Sequence, residues 1–80
     1  MKQAKNAIND AKDAIDDLEE AKAKFEEKTG SITSIAKLNK AYELLTEAGD
    51  YFDDKNYNSA VEKAEEAEDE AKEGEDELDV

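Results

Sequence analysis

Ala4, Ala11, Leu18 and Phe25 stand seven residues apart, and Ala7, Ala14 and Ala21 fill the position between them. Ile8 and Ile15 widen the same stripe. Apolar residues at three- and four-residue spacing share one face of an α-helix. A face built mostly of alanine lets a neighbouring helix axis approach closely, although each alanine buries little area, worth about 25 cal/mol per Å². The pattern predicts a first helix over about 3–28. Glu20 and Lys24 stand one turn apart as a favourable pair. Lys24 and Lys28 suit the negative end of the helix dipole. Gly30 then falls just past the cap, where a left-handed backbone is cheap for glycine.

The same periodicity returns twice. After "TGSITS", in which Ser31 or Thr33 is a candidate cap, Ile35, Leu38, Tyr42, Leu45 and Phe52 recur at helical spacing. Ala41, Leu44, Ala48 and Tyr51 broaden that face, so this second helix, over about 33–53, is expected to be the central one. From Asn56 onward, Tyr57, Ala60, Val61, Ala64, Ala67 and Ala71 share a face. Glu62, Glu65, Glu66, Glu68, Asp69, Glu70 and Glu73 crowd the rest, a mildly repulsive spacing. The third helix is expected over about 56–72, fraying beyond Ala71, with Gly74 as its stop.

Short connections favour antiparallel neighbours. The expected fold is all-α: a three-helix up-down-up bundle over 1–74, followed by a frayed acidic tail at 75–80. The main alternative is a long helical hairpin with the first helix detached.

Proline is absent and 44% of the residues are charged, a helix-forming composition near the border with disorder. The formal net charge is −13, and every basic residue is lysine. Nucleic acid and anionic membrane surfaces are disfavoured as partners, because both attract cationic proteins. A basic protein is the partner such a surface suits. No stretch approaches the ~20 consecutive apolar residues of a membrane span, and "MKQAKNAIND" does not resemble a signal peptide. Neither observation assigns a compartment, and the oligomeric state is equally open. Eighty residues make one small domain or a piece of a longer chain.

Around the second connection, the chain resembles a tetratricopeptide-type helix-turn-helix. Leu44, Ala48, Tyr51, Tyr57, Ala60, Ala64 and Ala67 fall at the corresponding spacing in "GDYFDDKNYNSAVEKAEEA". Three departures stand beside them. Glu47-Ala48 replaces the usual Leu-Gly pair, Ala64 replaces the bulky aromatic of the second helix, and the closing proline is missing. The resemblance covers about 28 residues and one repeat, whereas an array needs about three. The pattern is also similar in style to helical modules of archaeal and bacterial surface or secreted proteins. It implies a spacer or interaction module with no catalytic residues to carry over.

One stretch has the outline of a calcium loop. An EF-hand places oxygen ligands at positions 1, 3, 5, 7, 9 and 12 and glycine at 6. Counted from Asp54, the metal candidates are Asp54, Asn56, Asn58, the Ala60 carbonyl, Glu62 and Glu65. Ser59 holds the glycine position, Asp53 replaces the apolar residue before the loop, and the loop would overlap the third helix. The plainer reading makes Asn56 or Asn58 a helix cap, and no metal is assigned.

With no histidine, no side chain has an ordinary pKa near neutrality. With no cysteine or arginine, common nucleophile and oxyanion parts are missing as well. Carboxylates abound, but they do acid-base work only where a pocket sets their pKa values apart. Gly30, Gly49 and Gly74 are isolated, so there is no glycine-rich phosphate loop. The aromatics Phe25, Tyr42, Tyr51, Phe52 and Tyr57 are expected in the core. The expected function is a non-enzymatic helical spacer or protein-interaction module with no catalytic residue and no cofactor. The alternative is a small acidic protein that binds a basic partner or calcium.

Overall fold

The structure, a computed structural model, describes residues 3–30 and 36–78. They form three helices, α1 (Ala4–Thr29), α2 (Ala36–Asp53) and α3 (Tyr57–Leu78). Gly30 ends α1 as expected: its φ is 72°, and its N–H donates to the Glu26 carbonyl at 2.8 Å. The Thr29 hydroxyl donates to the Phe25 carbonyl at 2.9 Å in the same turn. The candidate caps Ser31 and Thr33, together with Ile35, lie outside the described residues. On α1 the pair that closes is Lys22 with Glu26, at 3.2 Å. Among the described residues no ion pair joins Glu20 to Lys24, one of the sequence expectations that does not hold.

The helices run up, down and up. At one level Ala7 and Ala11 of α1 meet Leu44 and Ala48 of α2 and Ala64 and Ala67 of α3. Further along, Ala14, Ile15 and Leu18 meet Ala41 and Ala71. Numbers rise along α1 and α3 together while they fall along α2. Helix α1 is therefore part of the bundle and not detached. The body measures 44 × 19 × 13 Å.

Helix α3, not α2, is the central element. It packs extensively on both neighbours, and the α1–α2 interface is much the smallest. The reason lies in side-chain size. Ala60, Ala64, Ala67 and Ala71 are all fully buried, and so narrow a stripe lets two helices close in from either side. Leucines give α2 a broad apolar face, but Leu38 and Leu45 stay half-buried at its edge.

Gly74 is not a stop, and the helix passes the expected boundary to reach Leu78. Gly74 continues the small-residue stripe one turn beyond Ala71 and is itself buried. A Cβ there would lie 3.0 Å from Leu18 Cδ2 and 3.1 Å from Lys37 Cβ. Three helices meet there so closely that a methyl group would need Leu18 or Lys37 to give way by a few tenths of an ångström. Leu78, the last residue of α3, is half-buried against the same cluster, so the helix runs through residues 75–78, where a frayed tail was expected.

The aromatics are not core residues. Tyr42 and Tyr57 are 43% and 49% exposed, and Phe25, Tyr51 and Phe52 are half-buried. Alanine-lined interfaces are too close for rings, so the rings sit at the rims. Ile15 and Leu18 are the largest fully buried side chains, and no polar or charged residue is buried among those described.

Candidate protein-docking cleft

The α2–α3 turn organises one end of the molecule. The Asn56 N–H donates to the Tyr51 carbonyl at 2.8 Å, and the Lys55 N–H donates to that of Phe52 at 3.0 Å. These two bonds are the paired closure of a Schellman C-cap. Lys55 holds its left-handed position with φ 65°, a place usually taken by glycine. Nothing in the residue type marks it in advance. The Asn56 carbonyl then accepts the Ala60 N–H at 3.0 Å, which starts α3. Asn56 therefore occupies the cap position expected of Asn56 or Asn58. Across the turn, Phe52 and Tyr57 meet edge to face, with ring centroids 5.4 Å apart and planes at 65°.

This backbone separates the calcium candidates. Asp54 and Asn56 are exposed in the turn, whereas Asn58, Glu62 and Glu65 project from α3. Ala60 lies inside the helix and not in a loop. Among the described residues, no group of three or more metal-ligating acidic side chains converges on a point.

What the turn does create is an open cleft of about 670 Å³. Phe52, Tyr57 and Val61 give it an apolar wall, and Ala4 at the start of α1 closes its side. Asn58, Glu62 and Glu65 rim it on α3, and Gln3 and Lys5 rim it on α1. Sequence periodicity marks Tyr57 and Val61 as apolar-face residues. It carries no signal that residues 3–5 arrive beside them.

A second cleft, of about 420 Å³, lies at the opposite end. Phe25 and Leu78 line it, with Lys24 and Lys28 set against Glu75 and Asp76. Between the ends, lysines tie the helices together. Lys37 of α2 reaches Glu73 at 2.7 Å and Glu70 at 3.4 Å on α3. Lys63 of α3 reaches Glu47 of α2 at 3.6 Å and Glu66 at 3.9 Å. The Tyr42 hydroxyl donates to the Glu19 carboxylate across α1 and α2. The Lys37 ammonium is held above the ordinary lysine pKa, chiefly by its hydrogen bond to Glu73 and further by Glu70, while slight burial opposes both.

No family model, no curated protein and no solved structure matches the chain. Among the described residues no helix is long and apolar enough to cross a membrane.

Proposed function

We propose that this chain is a non-enzymatic helical module that holds its two ends apart and engages other proteins, with α2 and α3 forming a tetratricopeptide-like hairpin. The observation that carries the reading is the placement of the ends. Residue 3 lies beside the α2–α3 turn, and residue 78 lies by the end of α1, at the other pole of the 44 Å body. Anything joined at the two ends would be held apart by a packed rod.

The experiment is a distance measurement. The chain has no cysteine, so Gln3→Cys and Glu77→Cys place two spin labels, both at exposed positions. Leu18 faces Gly74, which sets the register of α1 against α3. At 1.5 Å of rise per residue the two sites are about 25–30 Å apart along the axis. One narrow distance distribution, unchanged between low and physiological salt, is expected. A broad distribution, or a population at short distance, would sink the spacer reading.

A further inference from the structure

We propose that the cleft at the α2–α3 turn seats a short segment of a basic protein partner. One apolar side chain of that segment rests on Phe52, Tyr57 and Val61, and flanking lysines or arginines pair with Glu62 and Glu65. The proposal rests on the reading of the chain as an interaction module and names the partner's chemistry.

Three observations carry it. First, the wall is apolar and open. Tyr57 is 49% exposed, although its ring is held edge-on against Phe52. A volume of about 670 Å³ lies within the ~300–1,000 Å³ of ordinary binding clefts. An exposed aromatic is also the kind of side chain on which binding energy concentrates.

Second, the acids on the rim are unmatched among the described residues. Lys37 serves Glu70 and Glu73, and Lys63 serves Glu47 and Glu66. Among the described residues no ion pair engages Glu62 or Glu65. They stand three residues apart on α3 and face the same cleft. Lys5 on the α1 side offsets one of the two charges, so the described rim residues are acidic on balance. The cleft at the opposite pole differs, because Lys24 and Lys28 face Glu75 and Asp76 there and the charges compensate locally.

Third, the chain carries −13 overall. That field draws a basic segment toward the surface and repels nucleic acid and anionic lipid. Charge brings the partner in, and the aromatic wall decides where it stops.

The test is an amide-resonance titration in 0.15 M sodium chloride with two synthetic peptides, one alternating leucine and lysine and one of lysine alone. The expected result is saturable one-to-one binding of the leucine–lysine peptide, with shifts centred on Phe52, Tyr57, Val61, Glu62 and Glu65. The all-lysine peptide should bind at least tenfold more weakly. Glu62→Gln with Glu65→Gln should weaken the leucine–lysine peptide about tenfold, Tyr57→Ser should do the same, and Lys5→Gln should strengthen it. All these sites are exposed, and unchanged circular dichroism verifies that each variant folds. Equal binding of both peptides, with shifts spread along residues 62–78, would overturn the proposal. So would concentration-dependent shifts at Tyr57 in the protein alone, which would mean that a second copy fills the cleft. The spin-label distance is read separately, so loss of peptide binding with an intact distance refutes this cleft and leaves the spacer standing.

Discussion

Two lysines show how a residue's surroundings set its contribution. Lys55 takes the left-handed corner of the α2–α3 turn, where a side chain's Cβ crowds the following carbonyl. Glycine is free of that cost. Lys55→Gly should therefore be more stable than Lys55→Ala by about 1 kcal/mol, seen as a melting temperature roughly 4–8 °C higher for a chain this size. Equal melting temperatures would mean that residue 55 is not left-handed in solution. Lys37 differs in kind, because its partners lie on another helix. Its pKa is raised, so its stabilisation is complete below the ordinary lysine value of 10.5 and is lost as pH rises through the raised value. Lys37→Met keeps the Cβ that abuts Gly74 and removes the charge. The variant should melt slightly lower at pH 7, and the difference should vanish well above pH 10.5. A difference that persists there would assign the role of Lys37 to packing.

At the scale of elements, helix propensity and helix packing pull apart, and the two helical glycines measure the contest. A Cβ on Gly49 would meet nothing within 4 Å. Gly49→Ala should stabilise by about 0.5–1 kcal/mol through propensity alone. The same change at Gly74 drives a methyl against Leu18 and Lys37 Cβ. Leu18 is fully buried and has little room to yield, so overpacking of about 1–3 kcal/mol should exceed the propensity gain. Opposite signs for the two variants in urea denaturation are the expected outcome. Stabilisation by Gly74→Ala would mean that the three helices are further apart at that level than their packing indicates. Ala64→Leu checks the same stripe nearer its start. Ala64 is fully buried between α1 and α2, and the larger side chain should destabilise by about 1–3 kcal/mol.

For the whole molecule the controlling quantity is charge. The ion pairs that join helices lie at the surface, where each contributes ~0–1 kcal/mol, whereas a net charge of −13 repels itself throughout the body. Salt screens both, with a Debye length of about 8 Å at 0.15 M, and repulsion is the larger effect. The melting temperature should rise as sodium chloride goes from ~0.01 to ~0.15 M. A fall would mean that the links from Lys37 and Lys63 outweigh the repulsion.

Three helices with small residues inward were legible in the sequence because both signals are local. Periodicity reports which face is apolar, and the stop at Gly30 needs only its own backbone. The middle position of α3 was not local. Breadth of apolar face pointed to α2, but closeness of approach depends on side-chain size at two interfaces together, and that favours alanine. Gly74 reads as a terminator from its own propensity and becomes a packing residue only when Leu18 and Lys37 arrive on either side. Tyr42 and Tyr57 fit the apolar period, yet rings do not fit between axes that alanines have drawn together. The site divides in the same way. Glu62 and Glu65 stood out as oxygen-bearing candidates from spacing alone. Their common cleft exists only because the up-down-up path returns the start of α1 to the α2–α3 turn, where Ala4 and Lys5 close a surface that no single helix could form.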